Sequence, residues 1–336
     1  MREFFTAYKN ECYKINKKGK IFIVMAVIIG LMLIMTLGFG LLNGMLGDYT
    51  STMVDLTREE MQAIVDSNKV IVENYHHSDK IGLLDYGLYR AKAEIAFYQY
   101  LLDNNLNMSS IVVPGSISMD GAGYISTVIS FAIDVIVIFA IVMACKNFGG
   151  EKANGTLKMQ AMRPVSRRQM LSAKWLSVWS ISSVMLVVVV ILAQIVAMMK
   201  FGVETKDVIC VLNGEKAFKM SYLGYLTIEV LSQIVVLFCI IQLSHFVCSL
   251  FWRKGSGLAI TMLLFFLGGA IETILGYVYV GYVGFFINLN FLSALGTVST
   301  PPLRGMNLYS MLAITVVWQV SMMTFNYLHF DKCDIA

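Results

Sequence analysis

The stretch "FGGEKANGTLKMQAMRPVSRRQ", Phe148 to Gln169, comes close to a phosphate-binding loop. Gly150, four residues, then Gly155 match the start of G-x-x-x-x-G-K-[ST], with Thr156 following. That chemistry needs a Lys after the last Gly to reach the phosphates, and then a hydroxyl for magnesium. Thr156 and Leu157 stand at those two positions, so both are wrong. The loop should also follow a buried strand, and "ISFAIDVIVIFAIVMACK" is too long and too uniformly apolar to be one. Direct ATP binding by this segment is excluded. Other constellations are sparse. No C-x-x-C pair exists, no Ser/His/Asp or Cys/His set stands at recognisable spacing, and His76-His77 reads as a solvated turn. Three carboxylates lie inside apolar runs: Asp134, Glu229 and Glu272.

The elements that must position these residues are membrane spans. The chain has 336 residues, 57% hydrophobic and only 14% charged, where soluble domains are nearer one quarter charged. Six apolar runs approach the length needed to cross about 30 Å of hydrocarbon as a helix. The expected division is an amphipathic helix over 1–20, spans over 21–45, 122–145, 173–199, 223–250, 257–280 and 307–329, and connecting segments between them. A broken apolar stretch over 281–303, "YVGFFINLNFLSALGTV", ends at Pro301-Pro302 and reads as re-entrant or interfacial. The predicted fold is an all-α polytopic membrane protein.

Lys and Arg near helix ends orient the spans. Lys9, Lys14, Lys17, Lys18 and Lys20 precede the first run. Lys146, Lys152, Lys158, Arg163, Arg167, Arg168 and Lys174 lie around the second loop, Arg253 and Lys254 between the fourth and fifth runs, and Lys332 after the sixth. With six spans, all of these fall on one side, so both termini are expected in the cytoplasm. The segment 46–121 is rich in acids and is expected outside. The net charge of +4 thus hides a basic inner and an acidic outer face, and nucleic-acid binding is not indicated.

Between the spans the sequence predicts local structure. Phe4, Phe5, Tyr8, Cys12 and Ile15 share one face of an N-terminal helix that would lie among membrane lipid headgroups. In the outer segment Thr57 and Glu60 have capping-box spacing, and a second helix is expected over about 81–103, giving a helical hairpin. Segment 200–222 is expected to be an outer loop. The segment 146–172 is a cytoplasmic loop in which Pro164 ends one short helix. Ser166 and Gln169, again at capping-box spacing, start the helix that becomes the third span. Met159 and Met162 are adaptable apolar groups suited to a partner's groove.

Glu151, Gly155, Thr156 and Leu157, a gap of six residues, then Pro164, Val165, Ser166 and Arg167 together resemble the cytoplasmic motif E-x-x-x-G-T-L…P-V-S-R of type-2 ATP-binding-cassette permeases. The resemblance extends to the N-terminal helix, six spans and the broken stretch before the last span. It implies that these residues, with Met159 and Met162, form a coupling helix docking into a separate cytosolic ATPase subunit. ATP and magnesium would then be bound by that partner, with no cofactor in this chain. It also implies a pair of permeases in a bacterial cytoplasmic membrane, acting as an exporter rather than as an enzyme.

Asp134 lies near mid-span, with Glu229 and Glu272 nearer the outer halves of theirs. A carboxylate at the bilayer centre costs roughly 2.5–3.5 kcal/mol on insertion scales, and such groups generally face protein or water. They are candidates for a translocation path, or for hydrogen-bonded glue between helices. With the acidic outer segment, they point to an amphipathic or antimicrobial peptide as cargo, as in peptide export and immunity. A lipid, drug or sodium efflux permease, and a signalling or assembly subunit without transport, are the alternatives.

Overall fold

The computed structural model describes residues 2–17, 19–46, 56–75, 83–112, 121–151, 154–155, 165–202, 206–212, 215–251, 254–277 and 308–332. Nine helices and three strands are described: α1 (Arg2–Asn16), α2 (Lys20–Leu46), α3 (Arg58–Glu73), α4 (Leu83–Asp103), β1 (Ile111–Val112), α5 (Gly121–Cys145), α6 (Arg167–Phe201), β2 (Asp207–Leu212), β3 (Lys216–Ser221), α7 (Tyr222–Leu250), α8 (Lys254–Tyr277) and α9 (Leu308–Lys332).

Among the described residues, four helices are long and apolar enough to cross a membrane: Lys20–Gly38, Gly121–Gly150, Arg167–Phe201 and Tyr222–Leu250. A shorter apolar helix, Gly255–Leu267, lies within α8, and α9 runs for 25 residues. The re-entrant stretch expected over 281–303 and the His76-His77 pair lie outside the described residues. The fully buried positions of α5 and α6 form the middle of the core, including Ile136, Ala140, Val178, Leu186, Val189 and Ala193. Trp179 fixes α6 to α7 by donating its indole N–H to the Ile234 carbonyl at 3.0 Å, and Trp175 and Trp179 both meet Phe238 edge-on. By contrast α2 is mostly exposed, with Phe22, Leu33, Leu37 and Leu41 each over 60% accessible, as suits a helix facing lipid.

The expectation of an all-α chain needs correction. The segment read as an outer loop holds a β-hairpin, and β1 joins it in a three-stranded sheet of order β1-β2-β3. β1 runs parallel to β2, pairing Ile111 with Asp207 and Val112 with Val208, and β2 runs antiparallel to β3. The reason the sequence hid β2 is physical. "DVICVL" is apolar without alternation because both faces of the strand are buried. Val208 and Cys210 pack into the core of the spanning bundle. Ile209 and Val211 pack on the other side, into a second core with Met61, Ala93, Phe97 and Leu101 of α3 and α4. The sheet is therefore a plate between the bundle and the α3–α4 hairpin.

The hairpin has local causes. Thr57 accepts from the Glu60 N–H while Glu60 accepts from the Thr57 N–H, a complete capping box that starts α3. Asn68 donates to Glu94 at 2.8 Å across the two helices. The sheet also constrains topology. β1 precedes α5 and β2 follows α6, so their pairing requires that these two helices, between them, leave and return to the same end of the bundle.

Candidate functional site

At the end of the bundle opposite the sheet, α5 does not stop cleanly. Its last turn, Lys146–Gly150, widens into a π-helix, a form that often marks functional positions. Widening turns Phe148 inward, where it is 3% accessible and meets His245 of α7 and Phe330 of α9 at ring distances of 5.9 and 5.8 Å. The segment leading away from α5 is thus rooted on three helices.

Glu151 follows directly, and its carboxylate turns back into the protein. Oε1 accepts from Lys14 Nζ of α1 at 3.0 Å, and Oε2 accepts from Lys174 Nζ of α6. The same two lysines both reach Glu11 of α1, Lys14 at 2.8 Å and Lys174 at 3.3 Å. The four side chains form a closed ring of alternating sign, Glu11–Lys14–Glu151–Lys174. Lys174 and Glu11 are buried, at 0% and 5% accessible, which is tolerated because each charge faces two of opposite sign. Burial works against ionisation of Glu151, but Lys174 and then Lys14 outweigh it and hold its carboxyl below the ordinary glutamate range. Burial likewise opposes the charge on Lys14, and Glu11 and Glu151 overcome it, raising its pKa.

This arrangement gives α1 a definite seat. Ile15 is 1% accessible, and the Tyr8 hydroxyl lies 2.6 Å from Ser180 Oγ of α6. The buried face of α1 is thus Tyr8, Glu11, Cys12 and Ile15, while Phe5, placed on that face by the sequence pattern, is 63% exposed. The helix rests on the bundle with its outer aromatics, Phe5 and Tyr13, free to meet lipid.

The other end of the segment is fixed as well. Ser166 accepts from the Gln169 N–H at 3.3 Å and Gln169 Oε1 accepts from the Ser166 N–H at 3.4 Å, so α6 begins with a capping box. Arg167 donates to the Phe330 carbonyl at 3.5 Å, and the Ser172 and Tyr327 hydroxyls are 2.6 Å apart. Val165 is half-buried and packs on the core. Gly155 is exposed with φ +68°, a left-handed conformation that glycine adopts without strain. Thr156, Leu157, Met159, Met162 and Pro164 lie outside the described residues.

Of the three carboxylates in the spans, Asp134 and Glu229 have described side chains, and they lie on different helices. Asp134 is exposed on α5, on a stripe with Thr127, Ser130 and Phe131. Thr127 and Ser130 return their hydroxyls to the carbonyls of Gly123 and Ser126, one turn back. Glu229 is half-buried on α7. Glu272 falls within α8, but its side chain lies outside the described residues. Sequence reasoning missed Glu11 altogether and read Lys14 and Lys174 only as members of basic clusters. A lysine two turns inside an apolar helix was the available signal.

Compared with protein-family models, the chain matches the model described as ABC-2 family transporter protein over residues 8–335. The chain belongs to the ABC-2 transporter family. A comparison with curated proteins found no match. As an ABC-2 protein with several spanning helices, it is a multi-pass membrane component of a transporter. The family match takes in Glu11, Lys14, Glu151 and Lys174 together with the segment from Glu151 to Arg167.

Proposed function

We propose that this chain is the permease of an ATP-binding-cassette exporter, and that the segment from Glu151 to Arg167 docks on a separate cytosolic ATPase. The observation that carries this reading is the anchorage of that segment. It leaves the bundle from a rooted π-turn, carries Glu151 tied to α1 and α6, and re-enters through the Ser166 cap. A segment held at both of its described ends can take up a displacement and pass it to two spans. ATP then shifts the permease between arrangements only through differential contacts of the docked partner. In this reading both termini and the ion ring are cytoplasmic, the sheet and the α3–α4 hairpin are outside, and six helices span a bacterial cytoplasmic membrane.

Asp134 supports a path between two copies. It stands 13 residues into the span that starts at Gly121, about 20 Å along the helix at 1.5 Å per residue. A carboxyl there, exposed on the protomer surface, is costly against hydrocarbon. A second copy or a related permease covers it, and the stripe Thr127–Ser130–Asp134 then faces a polar passage. A carboxylate in that position, with Glu229 and Glu272 as further candidates, favours cationic amphipathic peptides as cargo.

The test is a crosslinking pull-down from native membranes with a photo-crosslinker at Met159 and a control at His76. Capture of an ATPase subunit from Met159 and not from His76, altered by ATP, is the expected result. Efficient labelling with no ATPase captured at Met159 removes the coupling role.

A further inference from the structure

We infer that Glu11, Lys14 and Lys174 are positioning residues for coupling, and that Glu151 serves as their intrachain anchor rather than as a contact to the ATPase. This inference rests on the reading of the Glu151–Arg167 segment as the docking element, and concerns how that element is tied to the spans.

Three parts of the chain meet in the ring: α1, the root of the coupling segment, and α6. Glu151 lies 137 residues from Lys14 and 23 from Lys174, so no local structure brings them together. Each carboxylate in the ring accepts from both lysines, and each lysine donates to both carboxylates. Such a closed ring has a geometric consequence. Moving any one member away from the others breaks two contacts at once and leaves a buried charge underpaired, so small displacements are shared by all three segments. Two further contacts lie along the same seam, Tyr8 with Ser180 and the buried Ile15. The link continues into the first span. Lys17 and Gly19 form a tight turn, in which the Gly19 N–H donates to the Asn16 carbonyl at 2.9 Å and the Ile23 N–H donates to the Gly19 carbonyl at 3.0 Å. A push on the coupling segment therefore reaches α2 through α1 as well as α6 directly.

The assignment of Glu151 follows from where its oxygens point. Oε1 and Oε2 are each occupied by a lysine of this chain, and the side chain is only 16% accessible. A carboxylate so committed fixes the root of the segment and leaves docking to residues beyond it.

The test uses the full chain in lipid nanodiscs. Spin labels at Lys9 and Asn154, both exposed, report the distance from α1 to the coupling segment. The background is Cys12→Ser, Cys333→Ser; the four remaining cysteines, Cys145, Cys210, Cys239 and Cys248, are buried, which directs labelling to the introduced sites. The wild-type ring gives one narrow distance distribution. Glu11→Gln, which should fold more readily than Lys174→Met, broadens it at least about twofold. Inverting all four charges together (Glu11→Lys, Lys14→Glu, Glu151→Lys, Lys174→Glu) keeps every attractive contact and restores the narrow distribution. In the complex with the captured ATPase, the same inversion restores ATP-dependent change at the spans if Glu151 acts within the chain. It fails to do so if Glu151 contacts the ATPase, which overturns that assignment. A broad wild-type distribution, or one unchanged in Glu11→Gln, overturns the joint. Should the four-way inversion not fold, Lys14→Met supplies the second variant, with broadening expected and none counting against the joint. Failure of the Met159 pull-down with an intact narrow distribution would instead remove the docking reading and leave the joint standing.

Discussion

The two ends of the bundle are fastened by different physics. At one end the central strand β2 is buried on both faces, with Val208, Ile209, Cys210 and Val211 at 0–1% accessible and no charge among them. At the other, α1 is held by four charges in a ring, two of them buried. Apolar burial is roughly proportional to area and has little preference for direction. A ring of ion pairs is directional, so it holds one register and loses much when one member is removed. Beside its strand pairing, the sheet end rests on apolar burial, whereas the ring end rests on charges that must move as a unit. The α6 helix joins the two, with Lys174 and Phe201 about 40 Å apart at 1.5 Å per residue.

The comparison can be broken from the ring side first. Lys174→Met leaves Glu11 and Glu151 facing each other with only Lys14 between them. Removing one partner of a buried ion set costs about 3–5 kcal/mol. Thermal unfolding in detergent should fall accordingly, and hydrogen exchange should rise in α1 while β2 stays protected. Equal loosening at both ends would show that the fastenings are not separate.

Ile209→Ala attacks the sheet side. Ile-to-Ala changes in packed cores cost about 2–5 kcal/mol, depending on how far the site collapses. Exchange should rise in α4 and β3, and the distance between Lys9 and Asn154 should not change.

Acid distinguishes the two fastenings without mutation. The Glu151 pKa is lowered in the folded chain, so its contribution is present above the ordinary glutamate value and is lost as pH falls through the lowered one. The Lys14 pKa is raised, so its contribution is present below the ordinary lysine value and lost as pH rises through the raised one. The ring should hold α1 steadily between the ordinary glutamate and lysine values, about pH 5 to 10, and release it only as pH falls through the lowered Glu151 value. The core formed by Ile209, Val211 and Phe97 should show no matching acid transition when each end is followed by exchange.

Ser166→Ala is smaller, about 1 kcal/mol for the loss of a helix cap. It should fray the first turn of α6 and leave the ring closed, as judged by an unchanged α1 distance. Smallest of all, Lys219→Ala removes the exposed cross-strand pair with Asp207, 2.7 Å apart. No measurable change in unfolding is expected, because exposed pairs contribute little.

The same contrast explains what could be read in advance. Both capping boxes were legible, because Thr57 with Glu60 and Ser166 with Gln169 are encoded within four residues. The long apolar helices were legible because hydrocarbon demands continuous runs of apolar residues. β2 was not, since burial on two faces erased the alternation that marks a strand. Its sequence looks like any short apolar connector until a partner for each face is known. The ring was hidden for another reason. Lys174 and Glu11 are 163 residues apart, and neither segment states its partner. Of the coupling motif, Glu151, Gly155, Val165, Ser166 and Arg167 could be placed. The intrachain role of Glu151 emerged only with its neighbours in view.

The pairing of β1 with β2 has a consequence for how the protein is made. Ile111 and Val112 leave the ribosome nearly one hundred residues before Asp207 and Val208, with α5 and α6 synthesised in between. The parallel pair can form only when both helices have been inserted in opposite senses, bringing the chain back to its starting side. A protomer in which either helix failed to insert would hold the two strands on opposite sides of the membrane. Its apolar strand, Asp207–Leu212, would then lack the β1 partner that covers one edge. The sheet thus records during biogenesis that two crossings have been completed, before the transporter has any cargo to move.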